Sequence, residues 1–283
     1  MNRFPIGIMA DSFRLSVRDG LKKAAEMGAD GVQLYAVEGE MSPEEMTPAR
    51  RRDLLKVIKD LGLKVSALCG DMGGHAFTVE ADNDRKVERS KRIMDLALDL
   101  ECNVVTTHIG VVPENERNPR WAVMASACAD LGRYGDMVGA SFAVETGPEP
   151  SGTLRRFLDS LGSRGVRVNL DPANLAMVVG EDAATAVRNL APYIVHTHAK
   201  DGIMVQKTDP ESIYNFFAEG GIGDLRIWEY FKEVPLGQGQ VNWKEYIAAL
   251  DEIGYRGFLT IEREVGDDPA KDIAEAVAFL KKL

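Results

Sequence analysis

Four short extended runs of this chain end in a carboxylate or an imidazole: Ala140–Glu145, Val166–Asp171, Tyr193–Asp201 and Gly257–Glu262. Side chains alternate along a strand, so residues two apart share a face. Glu145, Ala143 and Ser141 then share one face, against Val144 and Phe142. Asp171 and Asn169 oppose Leu170 and Val168. His198 and His196 oppose Thr197 and Val195. Glu262 and Thr260 oppose Ile261 and Leu259. A single Glu at a strand end is ordinarily a capping or surface residue, and a lone H-x-H on a strand is ordinarily a hydrogen-bonded core pair. Four such groups in phase are harder to dismiss. If they converge, they repel one another unless a cation sits among them. Three carboxylates and one imidazole suit one divalent metal ion, Mn²⁺, Mg²⁺, Co²⁺ or Zn²⁺, with room left for water or substrate. Two residues of strand separate His196 from His198 by about 6–7 Å. His198, nearer the strand end, is therefore the expected ligand, and His196 a deeper hydrogen-bonding residue.

The elements that must position these groups alternate. Extended runs at Phe4–Met9, Gly31–Tyr35, Lys64–Cys69 and Asn103–His108 precede the four above. Helical spacing is expected over 16–27, 48–61, 84–100 (with Asp84 as cap), 121–138, 151–161, 182–190, 243–253 and 269–282. Gly28, Gly62, Gly139, Gly162 and Gly254 stop helices. Strand–helix alternation implies a parallel sheet covered by helices. Eight units in 283 residues favour an α/β (β/α)₈ TIM barrel built as one domain over 1–283. The apolar strand faces then meet the helices, and the polar faces point to the barrel axis at the C-terminal rim, where barrel active sites lie. One connection, about 202–242, is too long for the rhythm. Such loops are usually functional; leaving the histidine strand, it reads as a lid with a short helix near Asp224–Phe231.

Composition narrows the partners. The net charge is −10, which argues against a sequence-independent grip on nucleic acid and against an anionic membrane surface. Cys69, Cys102 and Cys128 are odd in number and form no C-x-x-C pair, so no disulfide framework or cysteine zinc site is expected. The N-terminus lacks a long apolar signal segment, and no run approaches a membrane span. A soluble cytoplasmic protein is expected. No G-x-G-x-x-G follows the first strand, and no P-loop or Ser-His-Asp arrangement is evident.

Other strand ends supply candidates for substrate contact. His108, in Thr106-Thr-His-Ile-Gly110, shares parity with Thr106 and should face the site unless it is buried as a structural residue. His75 lies in a glycine-rich loop and either contacts substrate or caps the loop. Tyr35 and Lys200 also end strands, where packing or surface roles compete equally.

The runs Ala143-Val-Glu145, Asn169-Leu-Asp171, His196-Thr-His-Ala-Lys-Asp201, Leu236-Gly-Gln-Gly239 and Thr260-Ile-Glu262 resemble the xylose isomerase-like TIM-barrel superfamily, the sugar phosphate isomerase/epimerase group. The resemblance covers nearly the whole chain. In the ketohexose 3-epimerases of that group, the Glu, Asp, His and Glu of these motifs bind one divalent metal, which implies Glu145, Asp171, His198 and Glu262 as ligands. Those epimerases often carry a substrate-binding His three residues after the metal Asp; here Asn174 stands there and fills the role only in part. A trinuclear zinc nuclease of the superfamily would need more than the four histidines present.

The expected function is a metal-dependent isomerase or epimerase of a small sugar or keto-polyol, working by proton abstraction next to a carbonyl through an enediolate. Glu145 and Glu262, by chemistry and by resemblance, would be its acid/base pair. A dehydratase of the inosose type is the alternative on the same scaffold. A non-catalytic carbohydrate-binding barrel is the third reading, disfavoured by the ring of acids. Homo-oligomerisation is compatible with each.

Overall fold

Local chemistry starts and stops the helices. Ser16, Thr47, Asn118, Asp182, Asn242 and Asp268 each accept a backbone N–H of the following helix, which satisfies one of the donors a helix start leaves open. Gly139 and Gly162 end theirs in the left-handed region. The structure, a computed structural model, describes residues 4–223 and 225–283. Helices α1 (Val17–Glu26), α2 (Pro48–Asp60), α3 (Glu80–Asp99), α4 (Pro119–Val138), α5 (Ser151–Leu161), the single turn α6 (Pro172–Asn174), α7 (Ala183–Leu190), α8 (Pro210–Glu219), α9 (Trp243–Glu252) and α10 (Pro269–Leu280) follow in order. α3 starts four residues before the expected Asp84. Glu80 and Asp82 lie in its first turn, where carboxylates suit the positive end of the helix dipole.

Among the described residues, eight parallel strands close into a barrel in the order β1-β10-β7-β6-β5-β4-β3-β2. They are β1 (Ile6–Met9), β2 (Gly31–Tyr35), β3 (Lys64–Cys69), β4 (Val104–Thr107), β5 (Ser141–Glu145), β6 (Val166–Leu170), β7 (Ile194–Ala199) and β10 (Leu259–Ile261). The expected (β/α)₈ barrel is therefore the fold. Ile8, Leu34, Leu68, Val105, Phe142, Val144 and Leu170 are fully or nearly fully buried. The barrel axis is polar instead. His196 Nδ1 meets Asn169 Oδ1 at 2.8 Å, and its Nε2 meets Thr260 Oγ1 at 2.8 Å. Above this layer, Gln33 Nε2 donates to Thr106 Oγ1 at 3.0 Å. Two register slips tune the phase. Val32 and Gln33 pair with Val65 and Ala67, and Val168 and Asn169 with Ile194 and His196. Each slip leaves one extra residue, Ser66 or Val195, and so re-aims the strand beyond it.

The connection after β7 is not an open loop. β8 (Asp201–Met204) and β9 (Phe231–Val234) form an antiparallel pair, with α8 between them. The helix expected near Asp224–Phe231 is replaced by a 3₁₀ turn at Ile227–Glu229 and by β9, while Asp224 itself lies outside the described residues. The helix falls earlier because Asp209-Pro210 supplies both a cap, accepting from Glu211 N at 3.0 Å, and a proline at the first helical position. Among the described residues, no helix is long and apolar enough to cross a membrane.

Asp201 ties this excursion back to the barrel. Its buried carboxylate accepts from the backbone of Gly202 (2.9 Å), Gly237 (2.9 Å) and Val241 (3.2 Å), and from Trp243 Nε1 (2.9 Å). A Cβ on Gly239 would lie 2.0 Å from Asp201 Oδ1; the Leu236-Gly-Gln-Gly239 run exists to let backbone wrap this carboxylate. Asp201→Ala leaves these donors buried without an acceptor. It is expected to lower unfolding free energy by about 3 kcal/mol, and Asp201→Asn by less. Urea denaturation checks this, and a D201A midpoint equal to wild type would refute the anchoring role.

Candidate metal centre

Glu145, Asp171, His198 and Glu262 end or follow β5, β6, β7 and β10, four consecutive strands of the barrel. The four side chains are buried, and one ligand atom from each lies within 4.8 Å of the others. The cluster could hold a metal ion. His198 Nδ1 lies 3.3 Å from Glu262 Oε2 and 3.5 Å from both Glu145 Oε1 and Asp171 Oδ2. Those separations exceed good N–H···O geometry, and His198 Nδ1 and Asp171 Oδ2 are buried without a hydrogen-bond partner. Buried polar atoms are rarely left unpaired. Two of them facing each other among carboxylates fit a cation between them.

Each of these side chains is aimed by a neighbour. His198 Nε2 faces Gln33 Oε1 at 3.1 Å, nearer than the Asn169 amide nitrogen at 3.3 Å; an amide oxygen only accepts, so the shorter contact calls for a proton on Nε2. The lone pair on Nδ1 is thereby directed into the cluster, as in metal sites whose histidines are oriented from behind. Asp171 Oδ1 accepts from Ala173 N at 2.7 Å and Asn174 N at 2.9 Å, which leaves Oδ2 for the cluster. Glu145 Oε2 accepts from Asn169 Nδ2 at 3.1 Å, and its Oε1 from Asn174 Nδ2 at 3.1 Å. Asn174 can sit there because residue 147 is glycine: a Cβ would lie 2.2 Å from that of Asn174, and φ is +131°. Glu262 Oε2 accepts from Lys200 Nζ at 3.0 Å.

Charges are strongly coupled. With no ion present, burial works against ionised His198, but Glu262 and Glu145 beside it raise its pKa well above the usual imidazole range; a bound cation would take the place of the Nδ1 proton. Burial likewise opposes a charged Glu262, and His198 and Lys200 override it and hold the carboxyl low. Lys200 is itself buried, yet Glu262, Glu264 and Glu233 raise its pKa. His196 is the opposite case. Burial, then repulsion from His198, keeps it neutral.

A cleft of about 260 Å³ opens above the cluster. Tyr35, His108, Asn174 and Lys200 line it, together with Asp71, Glu145 and Glu262. His108 Nδ1 pairs with Asp71 Oδ2 at 2.7 Å, and its Nε2 lies 3.8 Å from Glu145 Oε1. Burial opposes charge on His108, but Glu145 and Asp71 raise its pKa to about 10. His75 is the candidate that the structure leaves outside the described cleft lining. The Gly73-Gly74 turn, with both residues at positive φ, carries it outward. Its side chain is 41% exposed and 3.5 Å from Glu219 Oε1. Asp71 and Gln33, which pair with His108 and His198, are positions that strand ends alone do not reveal. Gln33 could have been found as the polar residue in phase with Tyr35 on β2, and Asp71 as the carboxylate directly after β3. Lys200 reads as a strand-end residue but is committed to Glu262 and Glu264.

Comparison with known proteins places this geometry. Residues 21–283 match the xylose isomerase-like TIM barrel family. Among curated proteins, the uncharacterized protein YfiH of Bacillus subtilis (strain 168) is 31% identical over 144 residues, 46% of this chain and 41% of that protein's length. The chain thus aligns with less than half of that relative. Among solved structures, a xylose isomerase domain protein from Planctomyces limnophilus superposes with a TM-score of 0.79 at 26% identity, over 99% of this chain and 96% of that one. The probable 3-DHS dehydratase AsbF of Bacillus anthracis gives 0.72 at 20% identity, over 98% of each chain. A D-tagatose 3-epimerase-like protein gives 0.73 at 18% identity, over 99% of each. Epimerase-like and dehydratase proteins therefore share this scaffold.

The two histidines should separate on titration. His198→Ala is expected to weaken Mn²⁺ binding by more than about 100-fold, and Gln33→Leu by about 10–100-fold through loss of the orienting bond. His196→Ala should cost stability while changing Mn²⁺ affinity less than about threefold, since both its nitrogens are engaged away from the cluster. Calorimetry measures all three, and the reverse order for the two histidines would overturn the assignment of depth.

Proposed function

The chain belongs to the xylose isomerase-like TIM barrel family, and from that premise we propose that it is a divalent-metal-dependent isomerase or epimerase of a small sugar or keto-polyol. The observation that carries this reading is the buried four-residue cluster with two unpartnered ligand atoms facing each other. Glu145, Asp171, His198 and Glu262 would hold one Mn²⁺, Mg²⁺, Co²⁺ or Zn²⁺ ion. Such an ion supplies Lewis-acid stabilisation of the negative charge that develops on the substrate oxygens. D-tagatose 3-epimerase-like and D-psicose 3-epimerase structures share the fold, which is consistent with sugar chemistry here.

The proton work falls to the chain's own side chains. Glu145 and Glu262 stand at the two ends of the arc formed by β5, β6, β7 and β10. A planar enediolate lying between them would present one face to each. One carboxylate removes the proton next to the carbonyl and the other, already protonated, delivers its own proton to the opposite face. Asn169 and Asn174 fix the Glu145 carboxylate, and Lys200 fixes that of Glu262. Tyr35, His108 and Asn174 bound the space that the substrate hydroxyls would fill. The connection over 202–242 would act as a lid, since α8 and β9 contribute Tyr214 and Phe231 to the cleft.

A second reading rests on the Asp71–His108 pair. An imidazole whose pKa Glu145 and Asp71 raise, 3.8 Å from Glu145, would put a proton donor and a base side by side. Loss of water from a keto-polyol requires that combination, and the B. anthracis dehydratase shares the scaffold. Formation of a UV-absorbing enone from inososes would select it.

Protein purified without chelator should carry about one divalent ion per chain. Glu145→Gln and Glu262→Gln each keep an oxygen ligand and lose the base. Each is expected to cut proton exchange from keto-sugars in D₂O by about 10²–10⁴-fold. Metal content by elemental analysis and exchange by NMR check both. Variants that retain metal and exchange near the wild-type rate would refute the two-carboxylate mechanism.

A further inference from the structure

The cleft above the cluster has two unlike halves. The polar half carries four carboxylates, Asp71, Glu145, Glu262 and Glu264, against two basic side chains, His108 and Lys200. Both basic groups are engaged: His108 with Asp71 at 2.7 Å, and Lys200 with Glu262 at 3.0 Å and with Glu264. Among the described residues lining the cleft there is no arginine. Recognition of a phosphate monoester rests on donors and positive charge free to meet it; here neither basic side chain is free, since each is already held by a carboxylate.

The other half is apolar. It begins at Tyr214, whose ring centroid lies 6.4 Å from that of His108, and continues through Ile213, Phe217, Phe231, Met177 and Val178. Phe217 is 60% exposed at the mouth, yet its ring is braced by Phe216 at 5.7 Å and Phe231 at 6.4 Å. The helix that carries it is tethered. Arg120 forks onto Glu211 at 2.5 and 3.0 Å, and Tyr214 Oη donates to Gly74 O at 3.3 Å. A pre-formed aromatic wall facing water at a cleft mouth gains by being covered. A free ketohexose, hydroxylated at nearly every carbon, offers little to cover it.

We infer that the substrate is an uncharged keto-sugar bearing an apolar, ring-sized substituent, a keto-glycoside with an aryl aglycone. Its carbonyl-bearing ring sits over the four-residue cluster and its aglycone against Tyr214, Phe217 and Phe231. This assignment rests on the isomerase reading of the cluster for its carbonyl end, and on the apolar wall alone for its aglycone end.

The test uses metal-loaded protein and four probes: phenyl and methyl 3-keto-β-D-glucopyranoside, D-fructose and D-fructose 6-phosphate. Binding is read by calorimetry and proton exchange by NMR in D₂O. The phenyl glycoside should bind about tenfold or more tightly than the methyl glycoside. Phe217→Ala should reduce that ratio to below about threefold, and Phe217→Leu should retain part of it. Equal binding of phenyl and methyl glycosides, or tightest binding of the sugar phosphate, would overturn the inference while leaving the metal-dependent isomerase intact. A phenyl preference that collapses in F217A without exchange from any probe would uphold the aglycone end of the inference and overturn its carbonyl end together with the isomerase reading.

Discussion

Three carboxylates and an imidazole brought into one buried space impose the constraint on which the rest of this protein depends. Bare carboxylates at such separations repel, and removing them from water costs several kcal/mol each. The molecule meets that cost with opposing charge on every side. His198 stands among the three acids, Lys200 is drawn onto Glu262 and Glu264, and His108 reaches toward Glu145 with Asp71 behind it. A divalent ion would take the place of the proton on His198 and bring the larger positive charge. Lys200 is buried beside the buried Glu262 and Glu233, with the exposed Glu264 reaching it from outside, and a lysine there without them would be strongly unfavourable.

The barrel interior below is polar for the same reason. Asn169, His196, Thr260, Gln33 and Thr106 are fully or nearly fully buried, and they bond to one another and to the acids above. An apolar barrel core would be simpler to fill, but it could not orient His198 from behind or hold the Glu145 carboxylate in one plane. A fully satisfied polar layer rigidifies what it supports. The two register slips matter here, because each shifts a strand by one residue relative to its neighbour and brings the polar positions into line.

The excursion over 202–242 brings an apolar surface to a polar site. Asp201 gathers the returning backbone, while Arg263 bridges Glu233 of β9 and Asp272 of α10. The hairpin is therefore clamped at its base. α8 stands out from it and sets Tyr214 beside His108. The cleft thus combines a floor built from strand ends with a wall supplied mainly by this connection.

The strands, most helix limits and the four converging side chains were legible in the sequence because they depend on local rules. Alternation places Glu145, Asp171, His198 and Glu262 in phase, and caps and glycines mark the helices. Even α8 was available in Asp209-Pro210, although the length of the connection obscured it. The partners of those side chains were decided by tertiary structure alone. Gln33 meets His198 across 165 residues, Lys200 meets Glu262 across 62, and Asp71 meets His108 across 37. No local pattern encodes such pairs. They exist because closing the barrel brings β2 opposite β7, and because a side chain's charge state follows from which neighbours closure supplies. For the same reason His75 and His108, both reading as histidines after a strand, part company. A two-glycine turn sends one outward, while β4 delivers the other to the cleft.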